Sequence, residues 1–240
     1  MRKTALLLTC EHGDNKIPSR FHDLFARQQK VLATHRGWDL GALDLAKSLA
    51  KCFAVPLYYS EVSRLLIDLN RSLHHKRLWS EFTRDLPRED KSKTIDLYYQ
   101  PHRQEVAKQV EILLKKHSLV VHVAIHSFTP ILNHEKRNAD VGILYDPQRR
   151  QEKELSALWY TQLKELAPEL RVRKNYPYKG ATDCFPHYLR TCFLEKQYIG
   201  IELETMNSCL QNKKDIRYFT DIYYKSLSQI LAKIGGYSET

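Results

Sequence analysis

Short apolar runs and longer amphipathic segments alternate along this chain, and each pattern predicts one kind of element. The runs that suit buried strands are Ala5 to Thr9, Pro56 to Tyr59, Leu65 to Leu69, Leu119 to Ile125, Val141 to Tyr145 and Tyr198 to Leu203. Several of them lack a two-residue alternation of apolar and polar positions, which is typical of strands that are covered on both faces.

Four other segments repeat apolar residues at helical spacing. They are Leu40 to Phe53, His102 to His117, Gln151 to Leu166 and Asp215 to Ile234. Asp39 stands directly before the first of them, where a helix N-cap is expected. Strands that alternate with helices predict an α/β sandwich with a mostly parallel or mixed sheet. Because the chain has no internal repeat, low-complexity tract or Gly/Ser-rich linker, we expect a single domain over residues 1–240.

Composition indicates a folded protein without a membrane span. Hydrophobic residues make up 42% of the 240 positions, which is more than a disordered chain carries. No apolar run approaches the roughly 18 residues that a membrane helix needs. The apolar stretch near the N-terminus is too short for a signal peptide and ends at Glu11. The five scattered cysteines form no C-x-x-C pair, and this pattern favours reduced thiols in the cytoplasm.

The formal net charge of +10 leaves several classes of partner open. Such a surplus can attract nucleic acid, an anionic surface or a small anionic substrate. The basic residues are spread along the chain, and no recognised nucleic-acid-binding motif accompanies them. We therefore expect a small anionic substrate and no membrane, with nucleic acid as the less favoured partner.

Unusual polar residues stand at the ends of three predicted strands. His12 follows the first strand within the stretch CEHGDNKIP, and His126 follows the run Leu119 to Ile125. Glu202 and Glu204 alternate within the last strand, so both carboxylates lie on one face. In α/β sheets ligands bind at the carboxyl ends of strands. Two imidazoles and a carboxylate there would suit a hydrolytic zinc, with a further carboxylate as general base.

Each of these residues also has an ordinary structural interpretation. A histidine at a strand end is often a turn residue or a packed core group, and His122, inside its apolar run, is expected to be a core histidine. Glu202 and Glu204 could face solvent on an edge strand, although the flanking apolar residues favour a central one. Asp39 is by default a helix cap.

The segment SRLLIDLNR adds a second set of polar groups. Arg64 and Arg71 bracket its apolar core, and Asn70 precedes the second arginine. Guanidinium groups bind carboxylates bidentately and keep their charge, so these residues suit a pocket for an acidic amino acid. The alternative is an ordinary ion pair, such as Arg64 with Asp68.

Taken in order, these segments resemble the N-formylglutamate amidohydrolase family from Leu6 to about Glu204. The resemblance rests on the blocks CEHGDNKIP, HRGWDLGALDLAKSLA, SRLLIDLNR, AIHSFTP, RNADVGILYD, NYPYKGATD and IGIELE, whose order and spacing are shared. It implies a three-layer α/β sandwich like that of zinc carboxypeptidases, of the phosphorylase/hydrolase-like type. It also implies one divalent metal, zinc by expectation, and cleavage of N-formyl-L-glutamate to formate and L-glutamate in histidine breakdown.

The resemblance also assigns roles to residues. His12 and His126 match the two histidine ligands of the metal, and Glu202 matches the catalytic glutamate. Asn70 and Arg71 match the pair that binds a substrate carboxylate. Further substrate contacts are expected from Arg64, Arg137, Asn175 and Tyr178, the last as a donor to the tetrahedral oxyanion.

One position departs from the pattern. Carboxypeptidase-like sites have a glutamate three residues after the first histidine, and here that residue is Asn15, whose amide is a poor zinc ligand. The third ligand is then Asp14 or Asp39, and we favour Asp39 because it lies in the block WDLGA. Two other functions stay open: a zinc amidase for another N-acyl amino acid or peptide, and a non-catalytic basic α/β protein that binds nucleic acid.

Overall fold

A six-stranded sheet forms the centre of the protein in a computed structural model, which describes residues 4–235. The strands are numbered in chain order, and the numbering includes β4 and β5, which form a separate two-stranded hairpin. They are β1 (Thr4–Cys10), β2 (Leu57–Tyr59), β3 (Leu119–Phe128), β4 (Ile131–Leu132), β5 (Glu135–Lys136), β6 (Val141–Leu144), β7 (Val172–Lys174) and β8 (Tyr198–Met206). The order in the sheet is β2-β1-β3-β8-β6-β7, and every neighbouring pair is parallel except β8 with β6. The mixed, mostly parallel sheet is therefore confirmed.

Eight α-helices accompany the strands in the described part of the chain. They are α1 (His22–Phe25), α2 (Gln29–Leu32), α3 (Ala42–Phe53), α4 (Arg88–Thr94), α5 (Gln100–Leu114), α6 (Arg150–Leu166), α7 (Phe185–Cys192) and α8 (Lys213–Gly235). A π-helical segment, Ile95–Tyr99, joins α4 to α5. None of these helices is both long and apolar enough to cross a membrane.

Helices cover both faces of the sheet and so complete three layers. Apolar residues of α3, α6 and α8 pack on one face, together with the side chains of Leu8, Val121 and Ile201. On the other face α5 and α7 pack against Leu7 and Val120 of the two central parallel strands. Burial on both faces explains why these strands read as continuous apolar runs.

The run Leu65 to Leu69 is buried but is not a strand, so that prediction was wrong. Its backbone forms local turns: the Leu66 amide donates to the Ser63 carbonyl at 2.9 Å, and the Asp68 amide donates to the Leu78 carbonyl at 2.9 Å. The apolar side chains fill a second, smaller core with residues of the segments that surround it. Periodicity alone does not distinguish this arrangement from a short buried strand.

Candidate active site

Three adjacent strands bring the polar residues together. β1, β3 and β8 are parallel neighbours, so their carboxyl ends lie at one edge of the sheet. In the register of β3 with β8, Ala124 lies opposite Glu202 and His126 lies opposite Glu204. His12 follows β1 by two residues. Both glutamates are buried because β8 is a central strand, which excludes the solvent-facing interpretation.

His12, Asp39 and His126 form a group that could hold a metal ion, and it is called the ligand group below. One possible ligand atom from each of the three lies within 4.8 Å of the others, and all three residues are buried. The Asp39 Oδ2 atom is 2.9 Å from His126 Nδ1 and 3.4 Å from His12 Nδ1. His12 Nδ1 is buried and has no hydrogen-bond partner among the described residues. Two imidazole nitrogens and a carboxylate, one nitrogen being unpartnered, fit a divalent metal of the zinc type.

Carboxylates hold the outer nitrogens of both histidines. Asp68 Oδ1 is 2.7 Å from His12 Nε2, and Glu11 Oε2 is 3.0 Å from His126 Nε2. A histidine that donates its Nε2 proton to Asp68 keeps the lone pair of Nδ1 free for a ligand. Metal-binding histidines commonly have such carboxylate partners, which fix the orientation of the ring.

The electrostatic environment of the ligand group favours charged carboxylates. Burial alone would raise the pKa of Asp39, but the guanidinium of Arg64 and the imidazole of His12 outweigh it and hold that pKa well below its usual range. Burial likewise opposes ionisation of Glu11, yet its contacts with the imidazoles of His102 and His126 hold its pKa well below normal. Negative charge is therefore concentrated where a cation would bind.

Asp39 is not the N-cap of α3, so the default structural interpretation was wrong. The residue before the helix is Gly41, whose φ of +78° lets the chain turn into it, and no side chain caps the helix. Asp39 lies in the preceding loop, where its amide donates to the His12 carbonyl at 3.0 Å. Its Oδ2 atom also accepts a 3.3 Å hydrogen bond from the Ser127 amide.

The other candidates for the third ligand lie away from the group. Asp14 Oδ1 accepts hydrogen bonds from the Asn15 and Lys16 amides at 2.8 and 3.1 Å, and its other oxygen pairs with the exposed Lys16 ammonium. Asn15 donates its side-chain amide to the Leu32 carbonyl at 3.1 Å. Asp39 is therefore the carboxylate that the structure brings to the two histidines.

Glu202 lies beside the ligand group and is held in place from one side. Its Oε1 atom is 3.8 Å from His126 Nε2 and accepts a 3.0 Å hydrogen bond from the Asn70 side chain. Asn70 in turn accepts a 2.6 Å hydrogen bond from the Phe185 amide at the start of α7. Both polar ends of the Asn70 amide are thus engaged, which fixes the Glu202 carboxylate.

Glu204 is the second carboxyl group of β8 in this region. Burial, aided by the negative charges of Asp39 and Glu202 and opposed by His126, raises the pKa of Glu204 to about 8. Its Oε2 atom is buried without a hydrogen-bond partner among residues 4–235. The two glutamates on one strand therefore differ: Glu202 is held by an amide donor, and Glu204 favours its neutral form.

Two arginines adjoin the ligand group. Arg64 donates to Asp39 Oδ1 at 2.8 Å. Arg71 lies 3.9 Å from Asp68 and donates to the carbonyl of Asp183, while its Nε atom is buried without a partner among the described residues. The Arg64–Asp68 ion pair proposed as an alternative is replaced by a pair with Asp39.

A cavity of about 620 Å³ opens onto these groups. Eight of the residues predicted from the sequence line it: His12, Asp39, Arg64, Asn70, Arg71, His126, Tyr178 and Glu202. Arg137 and Asn175 are not among the residues that line it. Arg137 donates to the Tyr178 hydroxyl at 3.0 Å, and Asn175 accepts hydrogen bonds from the Tyr145 and Gly180 amides at 3.0 and 3.1 Å. Both support the loop that carries Tyr178.

Sequence reasoning missed the roles of Glu11 and Asp68. Glu11 directly precedes His12, and Asp68 was considered only as an ion-pair partner of Arg64. The available signal was a carboxylate directly before His12 and another within the arginine-rich segment. His122, by contrast, is the core histidine that was expected: its ring nitrogens lie 2.7 Å from the Thr9 hydroxyl and 2.6 Å from the Tyr198 hydroxyl.

Comparisons with known proteins agree with this geometry. The gene product Atu2144 from Agrobacterium tumefaciens has a similar structure, with a TM-score of 0.84 and 27% identity over 97% of this chain and 92% of that one. N-formylglutamate amidohydrolase from Ralstonia eutropha JMP134 has a TM-score of 0.73 and 16% identity over 98% and 95% of the two chains. None of the curated proteins compared with the chain gives a significant match.

A sequence model of one family covers the site and most of the chain. The model of N-formylglutamate amidohydrolase matches residues 4–210, which include the ligand group and Glu202. The protein therefore belongs to the N-formylglutamate amidohydrolase family and is a hydrolase that acts on amide bonds.

Proposed function

We propose that the protein is a zinc-dependent amidohydrolase that cleaves N-formyl-L-glutamate, or a closely related small anionic N-acyl amino acid, into the acid and the free amino acid. Its place would then be in histidine breakdown. The observation that carries the proposal is the position of Glu202, which Asn70 orients 3.8 Å from a histidine of the ligand group.

His12, Asp39 and His126 would hold the metal. When bound, zinc supplies Lewis-acid polarisation of an amide carbonyl and lowers the pKa of water. Glu202 is the general base and acid of this proposal: it removes a proton from the attacking water and returns it to the departing amine. Asn70 limits the carboxylate to one orientation, which is required for efficient proton transfer.

The arginines supply the charge that an acidic substrate requires. Arg71 has a buried Nε atom that makes no hydrogen bond to the described residues, and Arg64 lines the cavity beside Asp39. Both guanidiniums keep their charge and can donate two hydrogen bonds to one carboxylate. Tyr178, which accepts a hydrogen bond from Arg137 and lines the cavity, is placed to donate its own hydroxyl proton to the oxyanion.

The test combines metal content with hydrolysis of N-formyl-L-glutamate. The wild-type protein should bind about one zinc per chain and release formate, and His12→Ala and His126→Ala should lose both properties. Glu202→Gln should keep the zinc and lose roughly 10²–10⁴-fold in kcat, the range for a general acid–base group. Loss of zinc in Glu202→Gln would instead make Glu202 a ligand. A wild-type protein that stays free of metal when zinc is supplied would refute the proposal.

A further inference from the structure

The cavity wall carries an uneven distribution of positive charge. All six of its lysine and arginine residues come from the segment 64–84 or from the loop before α3, and the lining residues from His126 to Glu204 contribute none. They are Arg36, Arg64, Arg71, Lys76, Arg77 and Arg84. Arg36 pairs with Glu81, so the two segments that supply these cations are in contact.

Four of these six cations lie next to carboxylates. Arg64 pairs with Asp39 at 2.8 Å, Arg71 is 3.9 Å from Asp68, and Arg84 is 3.8 Å from Asp85. Arg36 pairs with Glu81. These charges are at least partly compensated within the protein.

Lys76 and Arg77 differ from the other four. Both side chains are exposed, both line the cavity, and neither has a carboxylate within ion-pair distance among the described residues. They share their exposure with Arg36 and Arg84, but those two have carboxylate partners, whereas Arg64 and Arg71 are only partly exposed and adjoin the ligand group. The exposed part of the cavity lining thus includes two adjacent positive charges that no carboxylate of the described residues compensates.

We infer that Lys76 and Arg77 form an outer subsite for a carboxylate on the acyl side of the substrate, so that the enzyme accepts acidic peptides as well as formylated amino acids. This inference rests on the proposed function. If Arg64 and Arg71 hold the departing amino acid, only the acyl group is left to extend outward. A formyl group has one carbon and does not reach the exposed end of a 620 Å³ cavity, whose volume is that of a site for a drug-sized ligand.

The reaction of such a substrate is ordinary hydrolysis. The amide C–N bond breaks, water supplies the second oxygen of the new acyl carboxylate, and the proton taken from that water goes to the amine. No oxidant, reductant or further reactant is needed. The outer subsite contributes binding and orientation, so it should affect long acidic substrates and leave short ones unchanged.

The test uses two peptides that differ only in charge. N-acetyl-aspartyl-glutamate and N-acetyl-asparaginyl-glutamate have almost the same shape, and N-formyl-L-glutamate is the short reference. For the zinc-loaded wild-type protein we expect kcat/KM to be about fivefold higher for the aspartyl peptide at low ionic strength, since exposed charge pairs contribute modestly. Salt at about 0.5 M should largely remove this preference, because it screens exposed charges.

The decisive variant is the double change Lys76→Gln and Arg77→Gln. It should abolish the preference for the aspartyl peptide and leave kcat/KM for N-formyl-L-glutamate within about twofold of wild type. The matched control is Lys115→Gln with Lys116→Gln, which removes two adjacent exposed charges that do not line the cavity. That control should keep the preference. An equal preference in both double variants would overturn the inference.

Binding separates this inference from the proposed function. Calorimetry with Glu202→Gln measures the affinity for both peptides whether or not they are cleaved. Charge-dependent binding that disappears in Lys76→Gln/Arg77→Gln, without cleavage of any substrate by the wild type, would support the subsite and refute the hydrolytic function. Cleavage of N-formyl-L-glutamate with equal affinity for the two peptides would support the function and refute the subsite.

Discussion

Two buried clusters of ionisable residues in this protein differ in how completely their polar atoms are hydrogen-bonded. The closed cluster consists of Glu152 on α6 and Arg190 on α7. Arg190 donates from Nε to Glu152 at 2.9 Å, and from its two terminal nitrogens to the Gly180 and Gly200 carbonyls at 2.7 and 2.9 Å. Glu152 also accepts from the Gly200 and Asp146 amides at 3.2 and 2.8 Å. Every polar side-chain atom has a partner.

The open cluster consists of the ligand group with Glu11. Here His12 Nδ1, His126 Nε2 and both Glu11 oxygens are buried and make ion-pair contacts, 3.4 Å from His12 to Asp39 and 3.0 Å from His126 to Glu11, but none of these atoms has a contact with hydrogen-bond geometry among the described residues. A buried polar atom without a partner costs free energy, so natural proteins retain few of them. Buried charge alone therefore does not identify a functional site, since both clusters have it. Several buried polar atoms without hydrogen bonds at one place are a more specific indication of a functional site.

Arg190→Ala tests whether the closed cluster is structural and should have the largest effect on stability. The change removes the buried guanidinium that donates to Glu152 and leaves that carboxylate with the longer 3.5 Å contact of Arg149, so we expect a cost at the low end for a broken buried pair, about 3 kcal/mol in the free energy of unfolding. Arg150→Ala is the control, because it removes the exposed Arg150–Glu154 pair at the start of α6, the helix of Glu152, and should leave the free energy of unfolding nearly unchanged. Urea denaturation measures both. Similar small losses in the two variants would show that the closed cluster contributes little.

His122→Gln tests whether the core histidine of β3 is held in its neutral form in the folded protein. Burial lowers the pKa of His122 to about 4, below the 6.5 of a free histidine. Above pH 6.5 His122 is neutral in the folded and in the unfolded chain. Between pH 6.5 and pH 4 the unfolded chain takes up a proton that the folded chain excludes. The free energy of unfolding therefore falls as the pH falls. Between about pH 7.5 and pH 5, the free energy of unfolding of the wild type should fall by about 2 kcal/mol more than that of His122→Gln.

Urea denaturation at the two pH values measures this difference. The other titrating groups are common to both proteins and cancel in the comparison. Parallel pH dependence of the wild type and His122→Gln would mean that His122 is not held neutral.

Asp68→Asn tests the open cluster and has the smallest expected effect. It weakens the hydrogen bond that orients the His12 ring, so zinc affinity should fall about 10–100-fold while the fold is retained. Competition with a chelator measures the dissociation constant. Asp14→Asn is the matched control, because Asp14 is close in sequence to His12 but, within residues 4–235, its bonds go to Asn15 and Lys16 and not to the histidine. Equal zinc affinity in both variants would contradict a role for Asp68 in positioning His12.

The sequence allowed the central strands and their terminal residues to be predicted for a physical reason. β1, β3 and β8 are buried on both faces, so they appear as apolar runs, and polar residues at their ends stand out. The three residues of the ligand group come from such ends or from the block WDLGA. α4 was not predicted because its seven residues, REDKSKT, have no apolar stripe. β7 was missed because it has only three residues, two of them exposed.

The partners of the site residues could not be predicted in the same way. Asp68, Asn70 and Arg64 lie on a segment of turns whose shape depends on a second core, and their directions do not follow from any period. The Asn70–Glu202 contact joins parts of the chain that no local pattern relates. Closed-cluster residues such as Arg190 resemble any surface arginine of an amphipathic helix until the fold is known.

The hydrogen bonds of Asn70 have a consequence for the time course of folding. This one side chain joins Glu202, which is 132 positions away, and the Phe185 amide, which is 115 positions away. Contacts at such separations close large loops and form late, after local helices and turns. A chain that has collapsed but not yet docked β8 and α7 has no oriented proton acceptor. Recovery of turnover during refolding should therefore lag behind recovery of helical signal.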